Sequence, residues 1–182
     1  EDVEEGDLFF TPRLKPCVES SSLSLGRMRL LGYYVAEGRV DRDSRHSRPY
    51  MVRFTLHEDE RETLGAEIIA LMRDEFGVDT HSEITNATRG DRAFTLSFHT
   101  FDHAPWFLKH AGLGSRSKRL SQDVMLAPLE WQKALLGSWM NGDGCYDTHS
   151  GIRLVTSSDD LASQAGVLLN RVGVYSNTLK VT

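Results

Sequence analysis

Residues 30–38 read LLGYYVAEG, and residues 135–144 read LLGSWMNGDG. Each is an apolar stretch of helical spacing with small residues four apart, Gly32 and Ala36 in the first and Ser138 and Gly142 in the second. Each then closes on an acid and a glycine: Glu37-Gly38 and Asp143-Gly144. Small residues at that spacing let two helix backbones approach closely, and the closing glycine fits a left-handed helix cap. A single acid before a glycine at a helix end is commonly just a solvated last turn. Two copies in one chain set the architecture instead.

The correspondence continues downstream. MVRFTLHEDE (51–60) aligns with GIRLVTSSDD (151–160), matching Val52 with Ile152, Arg53 with Arg153 and Asp59 with Asp159. Each reads as a strand leading into an acidic helix start. The helices that follow both end in Gly-Val, at Gly77 and Gly173. The motif acids lie 106 residues apart (37 and 143), the strands 100 (53 and 153) and the helix ends 96 (77 and 173). The first copy therefore has a longer loop before its second strand and a helix about one turn longer. Its pattern predicts a motif helix over 23–37, strands near 38–42 and 50–56, and a helix over 59–76. Strands near 79–86 and 92–99 and a helix over 101–111 follow. In the fourth strand Ala93, Thr95, Ser97 and His99 alternate with Phe94, Leu96 and Phe98, as half-buried strands do.

The fold class expected is α+β, with two pseudo-symmetric αββαββα repeats. An N-terminal segment (1–22) precedes the first repeat (23–112), and a linker (113–130) leads to the second repeat (131–182). The second copy stops at NTLKVT, before a final strand or helix, and so reads as incomplete at its C-terminus.

A chain of 182 residues can bury a core of its own. Its cysteines, Cys17 and Cys145, suggest neither a metal site nor a disulfide framework, which points to a reducing, intracellular (cytoplasmic) compartment. No apolar run nears the length of a membrane span, and EDVEEGDLFF is acidic where a signal peptide is basic, so a soluble, unexported protein is expected. The net charge of −5 argues at first sight against nucleic acid. The charges are segregated, however. Residues 39–53 carry Arg39, Arg42, Arg45, Arg48 and Arg53 against Asp41 and Asp43, whereas 57–79 carry eight acids against two arginines. Residues 109–119 hold Lys109, Arg116, Lys118 and Arg119 and no acid. Such a division suits one basic face and one acidic back, and by itself it equally suits solvated surfaces.

The paired motifs, separated by one full mixed unit, make residues 23–182 resemble the two-motif LAGLIDADG homing endonucleases. GDLFFTPRLKP (6–16) and the linker SRSKRL resemble the intein-borne branch, where a splicing domain hands over to its endonuclease. Two positions depart from the family motif: in the second copy Ser138 stands where the motif has a glycine in third place, and in the first Glu37 stands where aspartate is commoner. No splicing nucleophile opens the sequence and no His-Asn pair closes it, so self-splicing by this stretch is not expected.

The resemblance implies that the two motif helices pack side by side beneath a saddle of strands, bringing Glu37 and Asp143 together. Two helix C-termini and two carboxylates at one place call for a cation. Magnesium or manganese held by Glu37 and Asp143, with the Ala36 and Gly142 carbonyls, fits hard-oxygen chemistry and phosphodiester hydrolysis. Double-stranded DNA is the implied partner and a monomer the implied state. Arg53 and Arg153, opposite Val52 and Ile152, would face DNA, or would be ordinary exposed strand arginines. The loop of Arg42, Arg45 and Arg48 would contact DNA or simply be solvated. Lys180 is a candidate for ordering water near the scissile phosphate, against the plainer reading of an exposed strand lysine. His81, His99, His103 and His110 lack metal-ligand spacing, and the tryptophans and Tyr33 and Tyr34 read as packing. The leading function is site-specific double-strand DNA cleavage. A non-cleaving nucleic-acid-binding protein of the same fold, as an RNA splicing cofactor or a transcription regulator, and an inert spacer domain stay open beside it.

Overall fold

The computed structural model of the chain describes residues 22–86, 92–147 and 151–179. Helix α1 (Leu25–Glu37) begins where Ser24 Oγ accepts a hydrogen bond from the Arg27 amide at 3.0 Å. Met28, Leu30, Leu31, Tyr33 and Tyr34 are fully buried, so α1 is enclosed on nearly every side. It packs on α5 (Leu129–Asp143) more extensively than any other two described elements pack on each other. The small residues are the reason. A Cβ on Gly32 would lie 2.3 Å from the Leu135 carbonyl oxygen and 2.9 Å from the Trp139 amide nitrogen. One on Gly142 would lie 2.6 Å from Ala36 Cβ.

The glycines that close the motifs behave differently from the sequence expectation. Gly38 (φ −90°, ψ 151°) and Gly144 (φ −78°, ψ 138°) are extended, not left-handed, and each opens a strand directly. Glycine is needed there for space. A Cβ on Gly38 would lie 2.3 Å from the Tyr34 ring, and one on Gly144 would lie 2.2 Å from the Met140 carbonyl. Gly77, by contrast, is a left-handed helix cap, at φ 65°.

Strands β1 (Gly38–Arg42), β2 (Pro49–His57), β3 (Ser82–Asn86) and β4 (Ala93–His99) form an antiparallel sheet of order β1-β2-β4-β3. The register aligns Val40 with Val52 and Val52 with Phe98, and aligns Phe54 with Leu96, which puts these residues on one buried face. Alternation sends Arg39, Asp41, Met51, Arg53, Thr55 and His99 to the other face. On the core side the Tyr34 ring meets Phe107 at 5.0 Å and Phe54 at 6.4 Å, joining α1 to the sheet and to α3 (Ala104–Ala111). The helix expected from residue 59 starts as a 3-10 turn (Glu58–Glu60) and a π turn (Arg61–Gly65) before α2 (Ala66–Phe76). A capping box at His57 and Glu60 fixes that entry, and Gly65 packs against the Phe94 ring.

The linker contains a short helix, α4 (Gln122–Met125). The second repeat comprises α5, a hairpin of β5 (Gly144–Asp147) and β6 (Gly151–Leu154), and α6 (Asp159–Arg171). Its β6 does not copy β2 in burial. Ile152, expected on the core face like Val52, is 66% exposed. Among the described residues no strand or helix covers β6 as β4 and α3 cover β2.

Candidate active site

Glu37 and Asp143 are the last residues of α1 and α5. The crossing that Gly32 and Gly142 permit brings these two ends together: a Cβ on Gly142 would touch Glu37 Cγ at 3.6 Å. Both acids are only partly exposed. Burial, repulsion from Asp143 and repulsion from Glu60 push the Glu37 carboxyl up to about 7, against the opposing pull of Lys118. Burial also raises Asp143. There Lys118 opposes the shift, as does the buried Trp139 indole N–H, which lies near Asp143 without closing a hydrogen bond of good geometry. Two acids that resist losing both protons form a site that favours a positive charge.

Part of that charge comes from a residue whose only sequence signal was membership of a basic stretch. Lys118, in the linker, is only 4% exposed. Its Nζ donates to the carbonyls of Tyr34 at 2.7 Å and Val35 at 2.8 Å and lies 5.0 Å from the centre of the Tyr34 ring. These carbonyls belong to the last turn of α1, which has no amide of its own to bond them all. A cation there also meets the negative end of the helix dipole. Burial pulls the ammonium down to about 8, and attraction to Asp143 and Glu37 resists that. Only the acid-free composition of SRSKRL hinted at this residue, because no periodicity distinguishes a buried linker lysine from its exposed neighbour Arg119.

The remaining candidates fall in three places. Arg53 lies on the open face of the sheet, where its Nε is 3.1 Å from Asp41 Oδ2 and donates to Met51 Sδ at 3.0 Å; Arg39 reaches the same carboxylate at 3.5 Å. Arg42, Arg45 and Arg48 are exposed at the far end of the β1–β2 hairpin. That loop has a built shape: Asp43 Oδ1 accepts from the Arg45 amide at 2.7 Å, and Ser47 turns the chain at φ 53°. Arg153 is exposed on β6, in the other half. Ala36 and Gly142 lie in the last turns of α1 and α5, beside the acids. Lys180 and the segment 6–16 lie outside the described residues. Among the described residues no group of three or more His, Cys, Asp or Glu side chains could hold a metal. A cation between Glu37 and Asp143 would complete its shell with carbonyl, water or phosphate oxygens, which is magnesium's usual arrangement. No helix among the described residues is long and apolar enough to cross a membrane.

Residues 130–181 match the family described as a LAGLIDADG-like domain. An iron–sulfur cluster assembly SufBD family protein of Mycobacterium tuberculosis is 27% identical over 183 residues, covering 96% of this chain and 20% of that protein. A DNA polymerase of Thermococcus kodakarensis is 28% identical over 169 residues, 89% of this chain and 9% of the polymerase. The chain thus spans a fifth or less of the curated relatives it matches. Among solved structures, I-DmoI in complex with DNA and Mn superposes with a TM-score of 0.56 at 18% identity, covering 83% of this chain and 78% of that one. The homing endonuclease I-WcaI bound to its DNA recognition sequence superposes at 0.53 and 14% identity, covering 85% and 69%. At such identities these structures establish the shared fold.

Proposed function

We propose, for a chain that carries a LAGLIDADG-like domain in the homing-endonuclease fold, that it is a site-specific endonuclease cutting both strands of duplex DNA with a divalent metal. The observation that carries this reading is the meeting of Glu37 and Asp143 at two packed helix ends, beside a buried lysine. A pair of solvated caps would lack both the burial and the cation. The two carboxylates, with the Ala36 and Gly142 carbonyls, would hold magnesium or manganese; burial and repulsion between acids raise the Glu37 carboxyl, and a cation there would offset both. When bound, such an ion activates water and neutralises charge on the phosphodiester.

The chain's own residues do the rest. The α1–α5 packing fixes the two carboxylates relative to one another, so little reorganisation is needed when the phosphate arrives. Lys118 Nζ, locked on the Tyr34 and Val35 carbonyls, keeps a proton and a positive charge beside them. Arg53 and Arg153 on the strands, with Arg42, Arg45 and Arg48 on the loop, bind the duplex to either side. Lys180 is the candidate for ordering water near the phosphate.

The domain is further read as the endonuclease region of an intein. A SufBD protein and a DNA polymerase have unrelated roles, yet each matches this chain over a small fraction of its length. A mobile insertion carried by different hosts accounts for that pattern. The test of activity is incubation with a randomised duplex library in magnesium, followed by sequencing of cut ends. Enrichment of one long site supports the endonuclease, and binding without cut ends would favour the non-cleaving alternative.

A further inference from the structure

The lysine at the end of α1 is held there from the other half of the molecule. Ser158, 2% exposed, is the N-cap of α6: its Oγ accepts from the Leu161 amide at 3.2 Å while donating to the Lys118 carbonyl at 2.6 Å. About one and two-thirds turns further along, the Gln164 side-chain amide brackets Leu120. Its Oε1 accepts from the Leu120 amide at 2.7 Å and its Nε2 donates to the Leu120 carbonyl at 2.8 Å. On the other side, the Arg119 amide donates to the Ala111 carbonyl and the Ser121 amide to the His110 carbonyl, each at 3.0 Å. Residues 118–121 are therefore strung between α3 and α6, with even positions bonded to α6 and odd positions to α3. The same alternation buries Lys118 and Leu120 and exposes Arg119.

We propose that Ser158 and Gln164 are positioning residues for the active site: they fix the backbone of residues 118–120 so that Lys118 Nζ stays on the end of α1 beside Glu37 and Asp143. This rests on the reading of that site as a nuclease centre. A four-carbon side chain gives its ammonium no fixed position unless its backbone is anchored, because a free lysine samples many rotamers. Ser158 supplies the anchor at residue 118 itself, and Gln164 supplies two more at residue 120. The first half contributes the helix end that the ammonium caps, and the second half contributes the anchor, so correct seating of α6 is a condition for a complete site.

The test uses Ser158→Gly and Gln164→Met, singly and together, with Ser158→Thr as the conservative control. Glycine is well tolerated at an N-cap, and methionine keeps the length and helical preference of glutamine. Two readouts are taken on the folded chain. The first is labelling of Lys118 by an amine-acetylating reagent, read by peptide mass spectrometry against the exposed Lys133. The second is single-turnover cleavage beside DNA affinity in chelator. The expected result for the double variant is Lys118 labelling faster by about ten-fold and cleavage slower by about ten-fold, with affinity within about two-fold, while Ser158→Thr alone labels and cuts like the unsubstituted chain. Unchanged protection of Lys118 overturns the proposal whatever happens to cutting, and so does faster labelling with undiminished cutting. Failure of the endonuclease reading shows separately, as absence of cutting by the unsubstituted chain; the catalytic part of the proposal falls with it, and labelling still decides whether α6 positions Lys118.

Discussion

Glu37, Asp143 and Lys118 form one electrostatic unit, and its pH behaviour follows from the direction of each shift. The Glu37 carboxyl rises from its ordinary 4.5 to about 7 on folding. The folded state therefore binds that proton more tightly, and the stability this contributes is full below pH 4.5 and lost as pH rises through 7. Glu37→Gln removes the loss. It should be more stable than the unsubstituted chain at pH 8 by about 1–2 kcal/mol, a figure reduced for the partial exposure of the side chain, and no more stable at pH 4. Urea unfolding in chelator at the two pH values measures the difference. Lys118 shifts downward, so its contribution is present above its ordinary 10.5 and lost as pH falls through 8. That cost is outweighed by the carbonyls it bonds. Lys118→Met takes the ammonium from the Tyr34 and Val35 carbonyls, of which Tyr34 keeps the Gly38 amide, leaves two acids without a cation, and should destabilise by about 2–4 kcal/mol at pH 8. The penalty should shrink at pH 5, where Glu37 is already neutral, and the same melts read it.

At the scale of elements, the α1–α5 crossing was legible because its small residues recur four apart in both motifs. Gly32 and Gly142 serve that close approach. Gly137, on the exposed side of α5, meets nothing within 4 Å of a built Cβ. The two positions therefore make opposite predictions. Gly32→Val forces a side chain against the Leu135 carbonyl and should destabilise by about 3 kcal/mol or more, whereas Gly137→Ala should stabilise by about 0.5–1 kcal/mol. Thermal melts of the two variants test both signs. The closing glycines were misread because sequence gives a residue's conformational freedom and not what stands beside its missing Cβ; Tyr34 and Met140 do at Gly38 and Gly144. For the β1–β2 loop, the Asp43 turn holds the arginines out from the hairpin, which favours contact with a ligand over collapse onto the protein. Arg45→Ala with Arg48→Ala should weaken DNA binding and lower its dependence on the logarithm of salt by about 0.9 for each phosphate that is no longer neutralised. A titration series in salt with an unchanged slope would remove the loop from the interface.

For the molecule as a whole, charge segregation reads differently in three dimensions than along the chain. The acids of residues 57–79 partly serve the core: Glu67 accepts from the Tyr33 hydroxyl at 2.6 Å and pairs with Arg29, and Glu75 accepts from the Ser24 hydroxyl at 2.7 Å and pairs with Arg27 at 3.4 Å. They tie α2 to α1 on the side of the sheet away from Arg39 and Arg53. The repeat made the αββα order and both motif acids readable, because hydrophobic period and spacing survive in a one-dimensional string. Lys118 was not readable as part of the site, since its burial depends on α1, α3 and α6 closing around a linker that has no period. Ile152 was misplaced for a related reason: its exposure is set by what packs over β6, not by β6 itself. On the proposed reading, Glu37 and Asp143 act together with metal at one centre. Double-strand cleavage in magnesium of the DNA site recovered from the library, measured beside affinity in chelator for Glu37→Gln and Asp143→Asn, decides whether they do. Each variant should keep its DNA affinity and lose double-strand cutting, with nicking at most surviving; normal cutting by either one would show that the two acids do not share one metal centre.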